Sequence, residues 1–195
     1  MRSLTFYFLI LLSLISRSQS LEFYRENLVF SIDSSYFTVS GTYYFRNPSQ
    51  QAGLFTITYP LPRCAINESI DTLVVFDAES PERPVLVTQK DSLYTFQVGI
   101  GAGSEKALSI SYRQKYANNQ VKYILTTTQY WRKSLKQASY DFLVPNYLLV
   151  KDFSYPPDSH SEFTDEIIYH WVKTDFMPEK DFIVHLKNTV IQLND

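Results

Sequence analysis

The sequence predicts an all-β chain, a mostly antiparallel β-sandwich of about ten to twelve strands with at most short helical turns. Three observations lead there. Aromatic residues are abundant: 15 Tyr, 14 Phe and 2 Trp make up 16% of 195 residues. Apolar and polar residues alternate with period two along most of the chain, as in strands buried on one face. Turn-forming clusters recur about every 10–15 residues, too densely for alternating β and α units.

The first twenty residues stand outside this pattern. Arg2 places a positive charge ahead of the apolar run Leu4–Ile15, and Ser18 and Ser20 follow as small residues two apart. A run of this length is short for a membrane span, which needs about 20 apolar residues, and fits the core of a secretory signal. Cleavage is expected after Ser20, leaving residues 21–195 as a single domain. Removing Arg2 and Arg17 leaves 16 basic against 20 acidic residues, a net charge of −4. The expected location is therefore secreted or periplasmic. Cys64 is the only cysteine, so no internal disulfide is possible. It reads as a small buried apolar residue.

The strands follow in order. Leu28, Phe30 and Ile32 alternate with Val29, Ser31 and Asp33. Phe37, Val39, Gly41, Tyr43 and Phe45 fall on one face. Phe55, Ile57 and Tyr59 repeat the alternation, while Leu73–Phe76 is apolar on both faces. Tyr94, Phe96 and Val98, then Leu108, Ile110 and Tyr112, then Val121, Tyr123 and Leu125 continue it. Tyr140, Phe142 and Val144 are the next set, followed by Ile167, Tyr169 and Trp171, and last by Phe182, Val184 and Leu186. These are residue types that suit a pleated, half-buried surface. Asn47-Pro48-Ser49, Pro81–Pro84, Gly99–Gly103, Asn118-Asn119 and Pro156-Pro157-Asp158 punctuate the runs. Asn118-Asn119 predicts a hairpin between Ser109–Ala117 and Gln120–Gln129. Short helical turns are expected at Trp131–Ala138 and Ser161–Glu166, and Tyr155-Pro156-Pro157 is a candidate for a cis bond.

The segment Phe37–Pro62 carries an aromatic-x-Asn turn, Phe45 to Asn47, and closes on Tyr59-Pro60-Leu61-Pro62. It resembles the opening of vault/inter-α-trypsin (VIT)-type domains and other exported β-domains. The resemblance covers about 26 residues and implies a β-sandwich interaction domain rather than an enzyme. Past Cys64 the chain departs from that pattern. The stretches Thr126–Lys133 and Ser154–Ser159 resemble exported bacterial proteins with no assigned activity.

Composition excludes a disordered chain, which needs low hydrophobicity and high net charge. It also argues against a nucleic-acid partner, since basic residues do not exceed acidic ones. No catalytic motif is found. Gly99–Gly103 fits neither a nucleophile elbow nor a dinucleotide fingerprint. His160, His170 and His185 lack the close spacing of a metal-ligand pair and read as exposed strand residues. Asp152, Asp158, Glu162, Asp165 and Glu166 read as a solvated acidic loop. No metal and no cofactor is expected.

Binding residues are sought instead where the alternation breaks, at Tyr130, Trp131, Arg132 and Lys133. Two aromatics beside two cations suit a sugar ring or an anionic headgroup. The preferred structural reading has Trp131 anchoring a crossover loop while Arg132 and Lys133 stay in solvent. The functional expectation is an exported, non-enzymatic accessory or interaction domain of the cell envelope. It would meet a protein partner through strand edges and this patch. The alternative is a carbohydrate or lipid-headgroup binding module on the same four residues. A small hydrolase is the third reading, requiring an enclosed polar pocket with acids and a histidine. No integral membrane segment is expected once the signal is removed.

Overall fold

The alternation turns into geometry in the first hairpin. β1 (Glu22–Ile32) and β2 (Tyr36–Arg46) run antiparallel, with Leu28 opposite Gly41 and Phe30 opposite Val39. The Asp33 carboxylate closes the turn by accepting the Ser35 and Tyr36 N–H groups, each at 2.7 Å. Gly41 faces the core, where a Cβ would come within 2.2 Å of Leu28 Cδ2 and 2.8 Å of the Asn27 carbonyl oxygen. The missing side chain is what lets Leu28 lie flat. This computed structural model describes residues 21–61 and 73–187. The expected signal segment and Cys64 lie outside the described residues.

The remaining strands are β3 (Gly53–Pro60), β4 (Val74–Asp77), β5 (Ser80–Pro84), β6 (Val87–Lys90) and β7 (Leu93–Ile100). They continue with β8 (Glu105–Lys115), β9 (Gln120–Tyr123), β10 (Leu135–Pro145), β11 (Val150–Phe153) and β12 (Ser159–Glu162). β13 (Glu166–Phe176) and β14 (Phe182–Leu186) close the series. One 3-10 helix, Thr126–Trp131, interrupts them. The large sheet has eight strands in the order β12-β13-β10-β1-β2-β8-β4-β5. Two three-stranded sheets, β11-β14-β9 and β3-β7-β6, complete the all-β fold. Pairing is antiparallel except where β1 meets β10. No helix among the described residues is long and apolar enough to cross a membrane.

The small sheets share the inner face of the large one. Phe182 of β14 packs 4.8 Å from Phe30 of β1 and 5.1 Å from Trp171 of β13, ring centre to ring centre. Tyr59 of β3 packs against Tyr43 of β2 and Tyr112 of β8, at 5.7 and 6.2 Å. The β14 sheet therefore covers one half of the large sheet and the β3 sheet the other. Nearly every residue placed inward by the alternation is buried, Phe30, Phe37, Val39, Phe142 and Val184 completely. Trp171 is buried too, and its indole N–H donates to the Tyr155 carbonyl at 3.0 Å.

Asn47 explains the aromatic-x-Asn turn physically. It is buried, and its Nδ2 reaches the carbonyls of Gln51, Ile100 and Gly101 at 2.8–3.2 Å. Its Oδ1 accepts the Ser49 N–H and hydroxyl. One amide thus ties the β2–β3 connection to the end of β7. An amide carries a donor group and an acceptor on one short stem, which this dual task requires.

Four local expectations change. Among the described residues fourteen strands form, two more than the upper expectation, because short strands such as β5, β6, β11 and β12, four or five residues long, add to the number. The Asn118-Asn119 turn forms, with φ of 57° and 52°. Its flanks do not zip into a hairpin beyond the single Ala117–Gln120 bridge. β9 pairs with β14 instead, because Val121 and Tyr123 must face the core under a different sheet. The helical turn lies at Thr126–Trp131, not Trp131–Ala138, and Ser161 belongs to a strand. The described peptide bonds are all trans, those around Pro156 and Pro157 included.

Candidate functional site

The site begins with a bulge. In β1, Phe23 pairs with Phe45, but Arg25 pairs with Tyr44, so one extra residue is inserted between them. The bulge turns both Phe23 and Glu26 inward, although they are three apart. Glu26 is 1% exposed and sits in phase with Leu28, Phe30 and Ile32. Tyr140 of β10 donates its hydroxyl to Glu26 Oε1 at 2.6 Å. Among the described residues Glu26 Oε2 has no hydrogen-bond partner. Burial raises the Glu26 pKa from an ordinary 4.5 to about 7, against the opposing pull of the Tyr140 hydrogen bond. Near neutral pH this carboxyl is shared between its acid and its anion.

Beside it the three sheets meet. Tyr43 of β2 stands opposite Glu26, and its hydroxyl lies 2.8 Å from that of Tyr59 and 3.0 Å from that of Tyr123. Tyr59 hangs from β3 and Tyr123 from β9, so each ring belongs to a different sheet. Burial pushes all three phenols well above their ordinary range, so they remain neutral. Three hydroxyls carry three protons, and the two bonds use two. The third proton is left for another acceptor.

A cavity of about 560 Å³ opens over this cluster. Glu26 and the three tyrosines form its polar part. Phe23, Phe45, Ile110 and Leu125 form its apolar wall. It lies between edge strand β3, through Ile57 and Thr58, and the 3-10 helix, through Thr127 and Thr128. Among the described residues none that lines it is Lys, Arg or His. The size falls within the range of small-molecule sites, about 300–1,000 Å³.

The four residues singled out from the sequence divide here. Tyr130 and Trp131 line the cavity, whereas Arg132 and Lys133 do not. Trp131 is half-buried and packs 5.7 Å from both Phe23 and Phe45, anchoring the loop. Tyr130 stays 85% exposed at the rim. Arg132 is exposed in a left-handed conformation, φ 57°, where it ends the helix. Lys133 forms an ion pair with Glu22. The four residues therefore do not make one aromatic-basic platform. Sequence reasoning missed Glu26 and Tyr140. The signal for Glu26 was present, an acid two residues before Leu28 and in register with a wholly apolar face.

The histidines have partners outside the cavity. His185 Nδ1 lies 2.5 Å from Asp152, and His160 lies 3.4 Å from Glu162. His170 is partly buried, not fully exposed as expected, between Asp141 at 2.7 Å and the Ser161 hydroxyl at 3.2 Å. Asp141 of β10 stands opposite His170 of β13, and Ser161 of β12 reaches the imidazole diagonally from its place opposite Ile168. Asp158 pairs with Lys173 at 2.6 Å. Among the described residues no cluster of three or more His, Cys, Asp or Glu could hold a metal ion.

No family model and no curated protein matches the chain. Solved structures do. A Legionella pneumophila protein named as a nutrient binding protein superposes with a TM-score of 0.70 at 12% identity. The match covers 86% of this chain and 67% of that one. The M1 zinc metallopeptidase of Deinococcus radiodurans superposes with a TM-score of 0.53 at 10% identity, over 86% of this chain. This chain spans 42% of that metallopeptidase's length. At such identities the likeness is one of fold.

The buried carboxyl makes stability depend on pH in a definite direction. Folding raises its pKa from 4.5 to about 7, so the folded state holds the extra proton between those values. The contribution is fully present below pH ~4.5 and is lost as pH rises through ~7, about 3 kcal/mol in all. Urea unfolding of wild type and Glu26→Gln at pH 5 and pH 8 measures it. The variant is expected to gain on wild type by about 2.5 kcal/mol between the two pH values.

Proposed function

We infer that the chain is an exported, non-enzymatic binding domain of the cell envelope, with its ligand seat in the cavity beneath Trp131. The observation that carries this reading is a mostly apolar cavity of ligand size with convergent polar groups at one end. The Glu26 carboxyl, held at Oε1 by Tyr140, lines that cavity and offers a polar ligand group an acceptor. The fold likeness to a protein named for nutrient binding agrees with this reading. The signal-like first twenty residues support export.

The edge-docking alternative has less support. The large sheet ends in β5, which carries Pro81 and Pro84, and in β12, four residues long. Short, proline-bearing edges are blunted against strand addition. An anionic lipid headgroup suits the cavity poorly, since among the described residues its lining holds a carboxyl and no cation.

One observation favours a second reading. Asp141, His170 and Ser161 form a chain of hydrogen bonds in the order of an acyl-transfer triad. They line up across three neighbouring strands, away from the cavity, and tie the edge strand β12 to the sheet. We assign them that clamping role.

Two measurements separate these readings. The neutral dye N-phenyl-1-naphthylamine should bind saturably at one site per chain, with a fluorescence gain. Thr127→Trp, which fills the cavity from the helix side, should remove that binding and leave the melting temperature within a few degrees. Dye binding that is absent from wild type, or unchanged in a folded Thr127→Trp, contradicts the cavity reading. A fluorophosphonate probe should leave Ser161 unlabelled. Labelling of Ser161 that disappears in His170→Ala would establish the acyl-transfer reading instead.

A further inference from the structure

Resting on the cavity as the ligand seat, we propose that the ligand carries a protonated amine, bound by the free oxygen of Glu26 and enclosed by aromatic rings.

Three observations converge. Glu26 is buried and lines the cavity, with Oε1 held by Tyr140 and Oε2 unpartnered among the described residues. An ammonium group brings donors and a positive charge, which complement a carboxylate that has one hydrogen bond from the protein. The rings of Phe23, Tyr43, Tyr59 and Tyr123 line the same space, and ring faces attract cations. Among the described residues the lining holds no Lys, Arg or His to repel a cation or to pair with an acid. A carboxylate ligand would meet Glu26 with like charge.

The amine sets the pH response. The groups that face Glu26 are Tyr140 from β10, Tyr43 from β2, Tyr59 from β3 and Tyr123 from β9. All four phenols stay neutral in the working range, because burial holds their pKa values well above 10. Glu26 alone in this group changes charge near neutrality. Binding an ammonium requires the anion, so affinity should rise with pH through about 7 and fall again near the amine's own pKa, about 10.

The test uses three probes of one shape on the full chain without its signal. 4-Phenylbutylamine, 4-phenyl-1-butanol and 4-phenylbutyrate compete with N-phenyl-1-naphthylamine for the cavity. At pH 8 the amine should bind at least tenfold more tightly than the alcohol, and the acid most weakly. From pH 8 to pH 5.5 the amine should lose roughly thirtyfold in affinity and the alcohol less than threefold. Glu26→Gln should retain the dye and bind amine and alcohol alike. If that variant does not fold, the wild-type comparison still decides. Dye binding with an amine no better than the alcohol, or with a flat pH response, overturns the amine assignment and leaves the cavity reading standing. Failure of the dye itself to bind overturns both.

Discussion

The hydroxyl of Tyr43 lies 2.8 Å from that of Tyr59 and 3.0 Å from that of Tyr123, and the three rings hang from three different sheets. No single pair of sheets can close the core of this fold, because one eight-stranded sheet is covered by two shorter ones. The covering sheets leave a seam, and Tyr43 stands in it. A hydroxyl there must find partners, since burial away from water costs unless it is hydrogen-bonded. Tyr59 and Tyr123 are those partners. The bond set therefore fixes where both small sheets sit over the large one.

The cavity follows from the same constraint. β3 and the 3-10 helix approach the seam from two sides without meeting, and the space between them is bounded by the tyrosine cluster. The β1 bulge brings Glu26 to its floor and Phe23 to its wall in one irregularity. Trp131 then rests on Phe23 and Phe45, so the helix that borders the opening is held by the residues that form the wall. The polar groups gathered there are the ones a ligand in the cavity would meet. The site and the packing are thus one structure rather than a pocket added to a finished core.

Period-two alternation made most of the fold legible. Leu28, Phe30 and Ile32, or Tyr94, Phe96 and Val98, could be assigned to a core face before any coordinates, because a strand has only two faces. Pairing partners were less legible. Gln120–Tyr123 reads as a hairpin partner of the strand before it, yet Tyr123 is needed at the seam, and tertiary packing overrides the local turn. The site was half legible. Tyr130 and Trp131 announced themselves by breaking the alternation, but Arg132 and Lys133 beside them point elsewhere. Glu26 carried a signal, an acid in register with Leu28, Phe30 and Ile32, but the bulge between Phe23 and Arg25, which no residue type marks, hid that Phe23 shares its face, and Tyr140 looked like one more core ring. Which hydroxyls face each other across sheets cannot be read from spacing along one strand.

Burial at the seam holds Glu26 partly protonated at neutral pH. Carbon-13 NMR of the Glu26 carboxyl, assigned by comparison with Glu26→Gln, follows that proton directly. The predicted titration midpoint of the folded domain without ligand is near pH 7. A midpoint near 4.5, the ordinary value for a solvated glutamate, would contradict the buried carboxyl and the binding site built on it.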